Sequence, residues 1–238
     1  MDSPVTKIPG ANRRVVGRRA FAAVAAVAVA VAALLITLGS SGCGNSSPSP
    51  TVSPSPSPSP VVFISGTTKG SPDAPLTMFM YSDFQCYNCQ EFALTTEKEL
   101  EEAYVETEKL RLVFKHYVIY DEESMRAAMA SECAAEQEKF WPYYDLLMQT
   151  RASPWEVDIT TATLESIAQA VRLNMAAFNT CLQSEKYKEK VDRDKEEGEA
   201  LGVTSTPSFI IDGGMATGHP PFAKFQEVIE QMLQESAN

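Results

Sequence analysis

Two cysteines three residues apart, Cys86 and Cys89 in the stretch YSDFQCYNCQEF, carry the most chemistry per residue in this chain. A C-x-x-C pair can cycle between dithiol and disulfide, supply two ligands to a soft metal, or act as a structural staple. The neighbouring sequence separates these options. An apolar run at 76–81, LTMFMY, is too short for a helix between its flanks and reads as a buried strand. From Cys86 the pattern becomes helical and continues to about residue 108. Phe92, Leu100 and Tyr104 share one face and the glutamates take the other. Cys86 therefore opens a helix, where free amide groups and the positive end of the dipole favour a thiolate. A cysteine so placed has a pKa well below its free value and is expected to be exposed and nucleophilic. Cys89, one turn on, is expected inside, within reach to resolve a mixed disulfide.

A second element belongs with the first. Val203-Thr204-Ser205-Thr206-Pro207 precedes another short apolar run, PSFII. Proline at a strand's first residue gives no hydrogen bond to the ladder. If the Thr206–Pro207 bond is cis, the Thr206 backbone can face the cysteines and pair with an incoming peptide. The alternative is an ordinary turn proline.

The elements that position these residues follow from periodicity. A short edge strand is expected at 61–64 and a strand at 110–118, LRLVFKHYV, so strand, helix and strand form a right-handed parallel crossover. Helical segments fill about 121–201, punctuated by Pro142 and Pro154 and ended by Gly202. A strand at 207–211, a turn at Asp212-Gly213-Gly214, a return strand at 215–217 and an amphipathic helix at 222–233 close the domain. The expected class is α/β, ordered β-α-β, helical insertion, β-β-α.

The N-terminal part reads differently. Residues 1–19 are polar and basic, and residues 20–38, AFAAVAAVAVAVAALLITL, are apolar throughout. As a helix the apolar stretch spans roughly 28 Å, close to the hydrocarbon thickness of a bilayer. The arginines precede it, which directs residues 43–238 out of the cytoplasm. Arg18-Arg19-Ala20-Phe21 resembles a twin-arginine export signal, against the plainer reading of a basic leader. Ser40-Ser41-Gly42-Cys43 resembles a bacterial lipoprotein signal with Cys43 as the lipidated residue, although Leu is usual where Ser40 stands. An uncleaved anchor and a cleaved soluble form are the other readings, and all three put the domain outside the cytoplasm. Residues 1–43 are thus read as export signal or membrane anchor. Residues 44–60, rich in alternating Pro and Ser, are read as an extended stalk, and 61–238 as the folded domain.

Composition narrows the function. The net charge of the chain is −11, and the leader is basic, so the domain itself is more acidic still. It has no basic patch, which argues against nucleic acid as a partner. Only His116 and His219 are present, and no cluster with metal spacing joins the C-x-x-C pair. No metal or other cofactor is expected, and both histidines read as surface or strand residues. Asp83 reads as a helix cap more readily than as a proton acceptor for Cys89. Phe140, Trp141, Tyr143 and Tyr144 read as core of the helical lid more readily than as walls of a substrate groove, and the acidic run 192–199 as a solvated face.

The segments FMYSDFQCYNCQEF, ECAAEQEKFWPYYDLL and LGVTSTPSFIIDG resemble the DsbA-like branch of the thioredoxin superfamily over about 61–238. That resemblance implies a thioredoxin fold with an inserted helical lid, Cys86 as attacking cysteine, Cys89 as resolving cysteine and Thr206-Pro207 as a cis-proline site. It also implies oxidation of exported proteins carrying reduced cysteines, and a quinone-linked membrane partner that restores the disulfide. The chain departs at Tyr87-Asn88, where family members commonly carry Pro-His or Pro-Tyr. These two positions tune thiolate stability, so the potential is what the departure leaves open. A reductase or isomerase would share every motif, and a metallochaperone would bind metal through the reduced pair. Outside the cytoplasm, Cys133 and Cys181 are expected to pair, contributing about 4 kcal/mol by loop closure, against the alternative of two separate buried thiols. Cys43 is then left for lipid.

Overall fold

The computed structural model describes residues 63–151 and 158–236. The expected span at 20–38, the arginine pair, Cys43 and the Pro/Ser-rich stretch lie outside the described residues. No helix among the described residues is long and apolar enough to cross a membrane.

The described chain forms a six-stranded mixed sheet and eight α-helices. In chain order these are β1 (Ile64–Ser65), β2 (Thr68–Lys69), β3 (Leu76–Ser82), α1 (Tyr87–Leu94) and α2 (Thr96–Leu100). After a π-helical turn at Glu101–Val105 come β4 (Leu110–His116), α3 (Glu122–Ala135), α4 (Phe140–Arg151), α5 (Thr161–Ala170), α6 (Met175–Gln183) and α7 (Lys188–Ala200). The chain ends in β5 (Ser208–Ile211), β6 (Gly214–Thr217) and α8 (Phe222–Ser236).

The strand order is β1-β2-β4-β3-β5-β6, which puts β3 at the centre. It runs parallel to β4, from Leu76 beside Leu110 to Ser82 beside His116, and antiparallel to β5, with Tyr81 beside Ser208. A strand flanked on both sides and covered on both faces must be apolar on both, which explains the unbroken LTMFMY run. On one face Phe114 packs with Phe84, Phe140 and Tyr144, while Phe92 of α1 meets Phe209 and Phe225. On the other, Tyr81, Tyr117 and Val203 form a smaller cluster. There α7 comes so close that a Cβ on Gly198 would sit 2.9 Å from the Tyr81 ring. Asp212 and Gly213 both have positive φ and join β5 to β6 in a two-residue turn, the backbone that suits a right-twisted hairpin.

Helices α3–α7 occupy the interval between β4 and β5. Phe140, Trp141, Tyr143 and Tyr144 are buried, and Pro142 lies in the first turn of α4, where its missing N–H costs no helical bond. Cys133 of α3 and Cys181 of α6 are joined by a disulfide.

Four local expectations require correction. The helix expected over 86–108 breaks at Thr95 (φ −125°, ψ −87°), whose hydroxyl donates to the Glu91 carbonyl and leaves the ladder free to turn. The turn swings Glu97 inward, so this glutamate is fully buried rather than on the solvent face. The strand β2 was not anticipated, since a Thr-Lys pair carries no apolar pattern. It pairs β1 to the sheet edge. Within the acidic run, Asp194 is buried: it accepts the His116 amide at 3.3 Å on the edge of β4 that β2, paired only at Leu112 and Val113, no longer covers, and bridges Lys115 and Lys190.

Candidate active site

The end of β3 delivers the chain through Asp83-Phe84-Gln85 to Cys86, the N-cap of α1. Cys86 has extended backbone (φ −75°, ψ 118°), and its carbonyl accepts from the amides of Cys89 and Gln90. From the other side, the antiparallel register of β3 with β5 carries Pro207 up beside Ser82. The Thr206–Pro207 peptide bond is cis. Two segments more than a hundred residues apart thus meet because each flanks the same pair of strands: the Cys86 thiol donates to the Thr206 carbonyl at 3.2 Å.

The two thiols differ in environment. Cys86 has its pKa lowered from 9.0 to about 6. The largest cause is a hydrogen bond from the Cys89 thiol. Burial opposes it, and the Thr206 hydroxyl and the amides of Cys89 and Asn88 at the helix start add to it. The Thr206 hydroxyl is buried and without a hydrogen-bond partner while Cys86 is a thiol, and it is placed to donate once the sulfur is charged. Cys89 is pushed well above 9.0 by burial and by the neighbouring Cys86 sulfur, with the Ser82 hydroxyl and Asp83 amide pulling the other way. One sulfur is an anion near neutral pH and the other a protonated thiol. Both cysteines are free in this structure.

Cys86 is not the exposed residue its position suggested. It is only 4% exposed, because the Thr206-Pro207 turn closes over it from one side. Tyr87 and Asn88 are exposed, Tyr87 by 66%. Asp83 does not cap α1. Buried, it accepts from the Gln85 amide (2.8 Å), the Ser124 hydroxyl (2.7 Å) and the Ile119 amide (2.9 Å), tying the cysteine turn to the start of α3. His116 is buried on β4 and bonds Glu132 at 2.9 Å, while His219 bonds the hydroxyls of Thr95 and Thr96. Neither histidine is part of the cysteine cluster.

Sequence reasoning missed a buried polar group behind Cys89. The Tyr144 hydroxyl interacts electrostatically with Cys89 and donates to Glu97 at 2.6 Å. Lys69 lies 3.7 Å from Glu97 and 2.8 Å from Glu101, with its ammonium over the Trp141 ring at 4.0 Å. Burial raises the Glu97 pKa against the opposing pull of Lys69 and Tyr144. One signal was readable: Ala93, Glu97, Leu100 and Tyr104 recur at helical spacing, so Glu97 falls on the apolar stripe.

The arrangement is that of a thioredoxin-fold thiol–disulfide centre, a depressed thiol at a helix start with a buried partner one turn on. Comparison with known proteins agrees. The Thioredoxin_4 family model, described as thioredoxin, matches residues 64–231, and the chain belongs to that family. The probable disulfide bond formation protein D of Bacillus cereus is 29% identical over 170 residues, covering 70% of this chain and 78% of that protein. The crystal structure of alpha-DsbA1 from Wolbachia pipientis superposes with a TM-score of 0.64 at 26% identity, covering 72% of this chain and 92% of that one. Oxidised BdbD of Bacillus subtilis superposes at 0.66 with 19% identity, covering 72% and 98%. The protein is a DsbA-like member of the thioredoxin superfamily and a thiol–disulfide oxidoreductase.

Proposed function

We propose that the protein is an oxidase that introduces disulfides into exported proteins through Cys86 and Cys89. The carrying observation is the contrast between the two thiols, with Cys86 at about 6 and Cys89 above 9.0. A stabilised Cys86 thiolate stabilises the reduced protein, and so makes its disulfide a strong oxidant.

In this reading a client thiolate attacks the Cys86 sulfur of the oxidised pair. The Cys86–Cys89 bond breaks, its electron pair passes to Cys89, and that buried sulfur takes a proton. A second client thiolate then attacks the client sulfur of the mixed disulfide, and Cys86 leaves as a thiolate. The client has lost two electrons and the enzyme has gained them. Thr206 and Pro207 receive the client backbone beside Cys86, and Tyr87 and Asn88, at the exposed helix start, adjust the leaving thiolate. Cys133–Cys181 serves as a structural link in the helical insertion.

The same proposal places the domain outside the cytoplasm, tethered through residues 20–38 or through lipid on Cys43, with 44–60 as the stalk. A quinone-linked membrane partner restores the disulfide. The apolar stretch, the small residues before Cys43 and the basic leader support this placement.

Titration of the Cys86–Cys89 couple against glutathione tests the direction. A potential near about −120 mV supports an oxidase, and one near about −270 mV marks a reductant and sinks the proposal. Cys86→Ser should abolish oxidation of a reduced model substrate, and undiminished turnover by that variant would remove Cys86 from the mechanism.

A further inference from the structure

Asp83 is a buried carboxylate, 2% exposed, that the exchange chemistry of the two sulfurs does not itself use. It stands three residues before Cys86, and both of its oxygens are engaged. Oδ1 accepts from the Gln85 amide at 2.8 Å and from the Ser124 hydroxyl at 2.7 Å, and Oδ2 accepts from the Ile119 amide at 2.9 Å. These donors come from three places: the cysteine turn itself, the first turn of α3, and the loop between β4 and α3. The Asp83 carbonyl in turn accepts the Cys86 amide at 3.1 Å. One residue thus joins the turn that carries the attacking sulfur to the entry of the helical insertion. Hydrogen bonds to a carboxylate are among the stronger ones, and more so away from water.

Apolar packing does not duplicate this junction. Phe84 is anchored on Phe114, with ring centroids 5.6 Å apart, but Gln85 is only half-buried, and in the β4–α3 loop Ile119 is 40% and Tyr120 56% exposed. Gln85 is held by a polar contact instead, its Nε2 donating to Asp121, the N-cap of α3, at 2.6 Å. With Asp83 occupied there, α1 has no side-chain cap, and the Asn88 and Cys89 amides of its first turn act on the Cys86 sulfur. The Thr206 carbonyl, 3.2 Å from the same sulfur, belongs to the turn before β5. The sulfur meets both sets of groups only while the Cys86 backbone is held between them.

We propose that Asp83 is a positioning residue of the exchange: its carboxylate clamps the cysteine turn to the start of α3 and the β4–α3 loop, and so holds the Cys86 sulfur where the α1 amides and Thr206 meet it. The proposal rests on the thiol–disulfide chemistry of Cys86. In the step that depends on it, the client–Cys86 S–S bond breaks and its electron pair goes to Cys86. The clamp keeps the donors of α1 and Thr206 aimed at that new anion, so they need no rearrangement as the charge appears. Asp83 itself touches neither client nor sulfur through its side chain; its three side-chain bonds go to Gln85, Ser124 and Ile119.

The test uses two variants of the full-length protein. Asp83→Asn turns one acceptor oxygen into a donor that faces another donor, and Ser124→Ala removes a single bond of the clamp and changes no charge. Two quantities are read: the ultraviolet absorbance of the Cys86 thiolate against pH, and the redox equilibrium with glutathione. Loss of one net hydrogen bond corresponds to roughly a 3- to 10-fold change in an equilibrium constant. In Asp83→Asn the thiolate titration should therefore move up by about 0.5–1 pH unit, and the glutathione equilibrium should shift by the same factor toward the disulfide form. Ser124→Ala should move both in the same direction by about 2- to 3-fold, and it decides alone if Asp83→Asn does not fold. Removing a negative charge near the sulfur would act the opposite way and lower the titration, so the sign separates positioning from charge. The proposal stands on an upward shift in at least one variant. Wild-type titration and equilibrium in both, with only the urea midpoint lowered, would leave Asp83 a structural fastener and overturn it, as would a downward shift in Asp83→Asn with none in Ser124→Ala. A wild-type protein that exchanges no disulfide with glutathione would instead refute the underlying thiol–disulfide reading, so the two failures are distinct.

Discussion

Reducing the Cys86–Cys89 disulfide should stabilise the protein by an amount that grows with pH, and the structure sets the size of that growth. In the folded dithiol form Cys86 titrates at about 6, against 9.0 for an ordinary cysteine. A group with a depressed folded pKa adds stability that is complete above the unfolded pKa and is lost as pH falls through the folded one. The window here runs from about pH 9 down to about pH 6. Linkage with RT near 0.59 kcal/mol gives about 0.1 kcal/mol at pH 5, about 1.4 at pH 7 and about 2.7 at pH 8. Cys89 titrates above this range and adds almost nothing to the slope below pH 8. In the disulfide form neither sulfur titrates, so every other ionisable group and any strain in the disulfide cancel or enter as a constant offset. The assay is urea unfolding of the reduced and oxidised protein at pH 5, 6, 7 and 8, compared as a difference at each pH. The difference should rise by about 2.6 kcal/mol between pH 5 and pH 8 in favour of the reduced form. A flat difference would show that the Cys86 thiolate gains no stabilisation from the fold, and the argument for an oxidising disulfide would fall with it.

Two further perturbations probe the scaffold. Replacing both Cys133 and Cys181 by Ala opens a loop of sequence separation 48. This should lower unfolding stability by about 4 kcal/mol in urea while the Cys86–Cys89 exchange rate under native conditions stays unchanged; a loss below about 1 kcal/mol would contradict the loop-closure argument. Gly198→Ala puts a Cβ 2.9 Å from the Tyr81 ring and 3.0 Å from Tyr117, both buried. It should cost about 1–3 kcal/mol by overpacking, visible as a lower urea midpoint, and a neutral substitution would show that α7 shifts freely on the sheet.

The order of elements and the chemistry of the cysteine pair were legible in the chain itself, because both are local. An unbroken apolar run between turn residues reads as a buried strand, and a cysteine at the change from strand to helix sits on free amides whatever surrounds it. The Asp212-Gly213 turn was equally local, since positive φ at adjacent residues is a property of residue type. Tertiary structure alone decided the rest. Cys86 is covered because β5 returns beside β3 and brings Thr206 onto it, a contact spanning 120 residues that no periodicity encodes. Asp83 became a fastener because the loop after β4 offers it donors that a local reading gives to the helix start. Glu97 turned inward because Thr95 breaks a helix that its composition would have continued. Local sequence determines which backbone a segment prefers and which atoms it carries. Which polar atoms lose water, and which partners they then find, depends on how distant segments pack: the local C-x-x-C turn supplies most of the lowering at Cys86, while burial by the rest of the fold is the largest cause of the rise at Cys89.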